Sequence, residues 1–354
     1  MRRGEVLHYT CGYNTPMMDA LARQIANFIQ TPVLDTAETR FNSLALVLFA
    51  RQYERILPYQ RLCNSEGQTP DTVQRWQDIP AVPAHAFKVF DLSCAPLNDS
   101  AAVFHSSGTT GDKTSKHYLE TDALALYDIS LRRGFEQAIP NRPNRLWAMM
   151  PNPEAAPNSS LSHMLGALGA ERFYWDNDAA LSVALAEQGE PITLFGTAFA
   201  FVQLFDGTNQ TWRLPQGSVV IETGGFKGRT REVPREQLYS LFQTRLRVAE
   251  AHCYSEYGMS EMASQFYGRG LKPIKRGPHW VRTRAIDPVT GVDTLPDESG
   301  LLRHYDLANF NSILALQTQD RGTLTADGFV LHGRASEAEI RGCSLTVEEL
   351  WARQ

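Results

Sequence analysis

Apolar positions recur with helical spacing over residues 15–65, where Leu44, Leu46, Val47, Phe49 and Ala50 precede the amphipathic run Tyr53-Glu54-Arg55-Ile56-Leu57. Pro80 and Pro83 then break that period and predict extended chain over 79–92. From residue 103 the pattern alternates between short apolar runs and longer amphipathic ones. Strands are predicted at 103–104, 145–150, 192–196 and 219–223, and helices at 119–137, 161–170 and 235–246. Ser159 or Ser160 is placed to open the second of these helices. Strands alternating with helices predict an α/β protein with substantially parallel sheet. Beyond Pro278 the runs shorten and are punctuated by turns, at 280–286, 300–306, 312–317 and 328–332. That tail predicts a meander or small barrel packed on the α/β body.

The 354 residues suffice for a sizeable core. A net charge of −5 gives no reason to expect nucleic acid as a partner, and the short basic stretch 272–276 reads as a solvated loop. The longest apolar run, 44–50, is too short to cross a bilayer, and the N-terminus has no apolar signal core. The five cysteines (Cys11, Cys63, Cys94, Cys253, Cys343) are scattered and form no C-x-x-C pair. A disulfide framework or zinc site is therefore not expected, and a reducing cytoplasm is the natural setting.

Candidate chemistry concentrates in Ser106-Ser107-Gly108-Thr109-Thr110-Gly111, followed by Asp112-Lys113-Thr114-Ser115-Lys116 and preceded by a predicted strand. Glycines let backbone N–H groups close around anionic oxygens, the hydroxyls add donors, and Lys113 and Lys116 offer positive charge. No Gly-Lys-Ser/Thr stands at Walker A spacing. Further on come Thr223-Gly224-Gly225 at a strand end, Tyr257-Gly258-Met259-Ser260-Glu261, Tyr305-Asp306-Leu307, Asp320-Arg321-Gly322 and Gly333-Arg334. Taken in this order, these motifs resemble those of the adenylate-forming superfamily, which includes acyl-CoA ligases.

The resemblance implies a large N-terminal α/β domain with a small β-barrel-like part. It also implies activation of a carboxylic acid by ATP and Mg²⁺ to an acyl-adenylate. Carried over residue by residue, the loop from Ser106 to Lys116 would hold phosphates, while Gly224, Gly225, Tyr257, Gly258 and Ser260 would border the base and the loop. Asp320 would accept the ribose hydroxyls with Arg334 nearby, Glu261 would hold magnesium, and His163 would lie near the acyl pocket. The chain departs from the superfamily in lacking a proline after Asp112, and in having no lysine after Lys275 where a mobile C-terminal domain normally supplies one.

The whole chain resembles the acyl-protein synthetases of bacterial bioluminescence, including the stretches 79–83, 87–88 and 222–227. That branch implies domain limits of 1–332 for acid activation (1–100 a helical lead-in, 278–332 β-rich) and 333–354 for a truncated C-terminal segment. It also implies transfer of a fatty acyl group to Cys343, then to a partner reductase, and leaves room for a homo-oligomer. A thiolate suits that task, because it attacks an acyl-adenylate and leaves an energised thioester. Two alternatives remain: direct delivery to coenzyme A, a carrier protein or an amine, and a non-catalytic nucleotide-binding subunit. Cys253 and the Trp147, Phe173, Tyr174 and Trp175 group read as core.

Overall fold

The computed structural model describes residues 18–33, 35–106, 114–224 and 233–335. Three helices lead in, α1 Ala20–Gln30, α2 Ala37–Arg55 and α3 Leu57–Ser65. Asp19 starts α1 by accepting from Leu21 N at 2.8 Å, a cap worth about 1 kcal/mol. The helix buries Ala22, Ile25, Ala26, Phe28 and Ile29, the face that its helical period puts together.

The expected extended segment at 79–92 is only partly so. After the short strand β1 (Val82–Pro83) the chain coils into a 3₁₀ turn at Ala84–Lys88. Strands β2 (Ala102–His105) and β3 (Lys116–Leu119) form an antiparallel hairpin, so the chain after the Ser/Thr/Gly loop returns as a strand before helix α4 (Thr121–Ala138) begins. Glu120 separates the two by accepting from Asp122 N and Ala123 N. Ahead lie β4 (Leu146–Met149), α5 (Ser160–Ala167) and β5 (Arg172–Phe173). Next are α6 (Asp178–Glu187), β6 (Thr193–Thr197), α7 (Ala198–Asp206), β7 (Val219–Thr223), α8 (Arg235–Leu241), β8 (Cys253–Tyr257) and β9 (Phe266–Arg269). Sheet order β5-β4-β6-β7-β8-β9 is parallel except for its β8–β9 edge pair. Strands such as β7 and β8 are buried at every position, as expected of parallel sheet covered on both faces.

The tail is an antiparallel sheet in the order β10-β14-β13-β12-β11, built from β10 (Ile274–Lys275), β11 (Val281–Ile286), β12 (Ser299–Asp306), β13 (Ala315–Thr325) and β14 (Gly328–Arg334). This is the expected meander, and β1 adds in parallel at Leu316 and Gln317 of β13. The predicted helix 235–246 changes at Phe242 into a π-turn and ends at Arg247 with a φ of 62°. Trp280, fully buried, ties the two sheets to α4 by donating to Ser130 Oγ at 2.9 Å and Ser264 Oγ at 3.0 Å.

Candidate active site

The β2–β3 register pairs His105 with Lys116, which brings the two roots of the Ser/Thr/Gly loop together. Ser106 N donates to Ser115 O at 3.1 Å, and Ser115 N donates to Ser106 Oγ at 3.0 Å. Of the predicted site residues, Ser107, Gly108, Thr109, Thr110, Gly111, Lys113, Gly225 and Cys343 lie outside the described residues.

The segment after β8 packs against this hairpin. Ser115, just before β3, and His117 within it are both buried on the side away from exposed Lys116. Ser115 Oγ donates to Glu261 Oε1 at 2.5 Å, and His117 Nδ1 bonds the Ser260 carbonyl at 2.8 Å. Ser260 Oγ in turn donates to His105 O at 3.2 Å. Burial pushes the Glu261 carboxyl above its ordinary value, against the Ser115 hydrogen bond and the charges of Arg334 and Lys88. Lys88 is a cation that the motif reading did not assign, although the Phe87-Lys88 pair was part of the resemblance. Its neighbour Phe87 meets the His117 ring edge-on at 6.1 Å.

Tyr257 ends β8 with its ring buried among Phe266, His304 and Phe329. Its hydroxyl emerges to donate to Asp320 Oδ2 at 2.8 Å. Asp320 and Arg334 are cross-strand partners on β13 and β14, with Arg334 Nε 4.0 Å from Asp320 Oδ1 and its side chain 79% exposed. Burial raises the Asp320 carboxyl, with Tyr257 and Arg334 acting in the opposite direction. Gly224 follows β7 with a φ of 66°, in the left-handed region, so a side chain there is disfavoured even though the space is open. A Cβ at Gly258 would lie 2.6 Å from Glu256 Oε1, which accounts for that glycine sterically. The hairpin, Glu261 and the Tyr257–Asp320 pair therefore converge at the carboxyl ends of the parallel strands, where open α/β sheets bind their ligands.

Several expectations are corrected or made specific. In the stretch 272–276 Lys272 and Arg276 are exposed as expected, but Lys275 is buried, and its Nζ donates to Ser255 O at 3.0 Å and Ser255 Oγ at 2.6 Å. Glu222 and Glu256 attract it, while burial pushes the lysine down and both carboxyls up. No alternation of charge announced this pocket of ions, because its members come from separate strands. Trp147 is core, whereas Trp175 is 61% exposed and does not belong with it. Cys253 is buried, with its thiol pushed up to about 12, which suits an inert side chain. His163 stands on α5, which Ser159 caps by accepting from Ser162 N at 3.1 Å. Its Nε2 meets Asp128 Oδ1 at 2.8 Å. Among the described residues no helix is long and apolar enough to cross a membrane.

No protein-family model matches the sequence, and no curated protein matches it either. Solved structures do. 2-Hydroxyisobutyryl-CoA ligase, in the postadenylation state with 2-HIB-AMP, aligns with a TM-score of 0.64 at 14% identity over 86% of this chain and 72% of its own. An open conformation of the same ligase, with 2-HIB-AMP and CoA, gives 0.64 at 13% over 87% and 75%. ATP-bound MatB from Rhodopseudomonas palustris gives 0.50 at 15% over 76% of this chain and 56% of its own. At these identities the likeness is one of fold, the fold that 2-hydroxyisobutyryl-CoA ligase also has.

Proposed function

We propose that this chain joins a carboxylic acid to the α-phosphate of ATP, releases pyrophosphate, and passes the acyl group from the adenylate to a thiol. The observation that carries this reading is Glu261, a buried carboxylate bonded to the root of a Ser/Thr/Gly loop. The fold shared with a ligase that holds 2-HIB-AMP supports it.

Attack of a carboxylate on phosphate brings two anions together, so the site must supply donors and positive charge before the reaction starts. Ser106, Ser107, Gly108, Thr109, Thr110 and Gly111 furnish donors, and Lys113 and Lys116 the charge. Gly224, Gly225, Tyr257 and Gly258 border the base, and Asp320, held by Tyr257, accepts the ribose hydroxyls beside Arg334. Glu261 would hold Mg²⁺, which when bound offsets charge on the phosphoryl oxygens. The fit is chemical: magnesium takes one or two protein carboxylates and fills its shell with phosphates and water. Among the described residues no denser cluster of ligating side chains competes.

In this reading Cys343 takes the acyl group, of the fatty class, as a thioester and delivers it to a partner reductase. A second reading, direct delivery to coenzyme A, is favoured by the fold shared with a ligase crystallised with CoA. Intact-protein mass spectrometry with ATP, Mg²⁺ and a panel of carboxylic acids separates them. The expected result is a hydroxylamine-labile adduct on the natural protein that is absent from Cys343→Ser. Acid-dependent pyrophosphate exchange with no adduct, and an acyl-CoA when CoA is added, selects the second reading. Absence of exchange with every acid defeats both.

A further inference from the structure

We infer that Asp128 and His163 act as a carboxylate–imidazole pair in the acyl-transfer half-reaction, His163 taking the proton from the incoming thiol and Asp128 positioning it. This rests on the function proposed above. His163 Nε2 lies 2.8 Å from Asp128 Oδ1, an arrangement that keeps the ring proton on Nε2 and the lone pair on Nδ1. Among the described residues nothing bonds Nδ1, and the two side chains remain 25% and 18% exposed. The ring is held between Phe104, at 5.2 Å, and Tyr127, at 5.7 Å, so it cannot turn freely. Phe104 belongs to β2, the strand that enters the Ser/Thr/Gly loop, and His105 N donates to Asn158 O at 2.9 Å just before α5. The imidazole thus stands beside the root of the loop, and Asp128 is its charged partner among the described residues.

Only one half-reaction needs such a base. The acid enters adenylation already ionised, and its attack on phosphorus moves no proton. A thiol, with a pKa of about 8.5, must lose one. Its S–H proton passes to His163 Nδ1 as sulfur bonds to the acyl carbon. The bond from that carbon to the phosphate oxygen breaks, and AMP leaves with the electron pair. Asp128 stabilises the imidazolium formed, which returns its proton to water.

The test measures two rates on Asp128→Asn, Asp128→Glu and His163→Gln. The first is ATP–pyrophosphate exchange, and the second is single-turnover thioester formation, read on the protein by mass and on added pantetheine. His163→Gln is expected to slow thioester formation about 10²-fold relative to exchange, the usual contribution of a general base. Asp128→Asn is expected to slow it at least about tenfold while exchange is kept, because the ring loses the partner that fixes its orientation and tautomer. Asp128→Glu should restore part of the rate. Equal slowing of both rates, or no recovery in Asp128→Glu, overturns the assignment and leaves an ordinary ion pair. Should Asp128→Asn fail to fold, the split in His163→Gln decides alone. Intact exchange with unchanged transfer removes the pair only, whereas absence of exchange in the natural protein removes the proposed function and this inference together.

Discussion

Two buried carboxylates, Asp306 and Glu261, sit in neighbouring motifs and are bonded very differently. Asp306 accepts from Ala263 N at 3.1 Å, Ser264 Oγ at 2.8 Å and Ala308 N at 3.0 Å, and Ser264 continues the network to Ser130 and Trp280. Among the described residues Glu261 has a single side-chain partner on its carboxylate, Ser115, while its main-chain carbonyl is held by Asn309 Nδ2 at 2.9 Å. A carboxylate saturated by its own chain is architecture. One that is fixed by its backbone and meets few donors among the described residues keeps capacity for something that binds later. Burial alone does not separate them, since Asp306 is 1% exposed and Glu261 8%.

The comparison breaks most visibly at Asp306. Asp306→Ala strands three donors in the interior, and at about 1–3 kcal/mol for each unsatisfied group the variant should lose at least about 3 kcal/mol of stability in urea denaturation. Glu261→Gln should do the reverse. Its fold stability should stay within about 1 kcal/mol of the natural protein, because a neutral amide relieves the burial of charge. Acid-dependent exchange should fall about 10²–10³-fold, as for loss of one group that stabilises transition-state charge. A Glu261→Gln protein that unfolds easily yet exchanges normally would erase the distinction.

The sequence made much of this legible, for reasons that differ by element. The 219–223 strand was readable to the residue because five consecutive buried positions leave no other period. The motif aspartates are separated in the sequence by the resemblance alone, which singles out Asp320 for the ribose. Otherwise Tyr305-Asp306-Leu307 and Asp320-Arg321-Gly322 read alike, and only their partners show that Asp306 ties sheets together while Asp320 faces Tyr257. Strand β3 was hidden because Lys116-His117-Tyr118-Leu119 adjoins a strong helical pattern, and the hairpin that pairs it is a tertiary choice. Helices α6 and α7 also escaped notice, and so did Asp128. Its relation to His163 spans two helices and has no signature in spacing.

His117 provides the smallest and most selective probe, since it packs with Ser115 on the face of β3 that meets Glu261. It is 1% exposed, its Nδ1 is bonded to the Ser260 carbonyl, and its Nε2 is buried without a partner among the described residues. Burial pushes its pKa down to about 4. The unfolded chain binds a proton there as pH falls below about 6.5, while the folded state refuses it until about 4. Stability from this group is therefore complete above pH 6.5 and is lost on acidification, by about 2 kcal/mol at pH 5. His304, buried and pushed to about 3, adds a second loss of the same sign. Denaturation curves at pH 7.5 and pH 5 should show His117→Gln losing less stability than the natural protein by about that first amount, with the His304 share retained. Equal losses in the two proteins would mean that His117 reaches water in the folded state. The contact of β3 with the 258–261 segment, and with it the confinement of Glu261, would then be looser than the hydrogen bonds of Ser115 and Ser260 require.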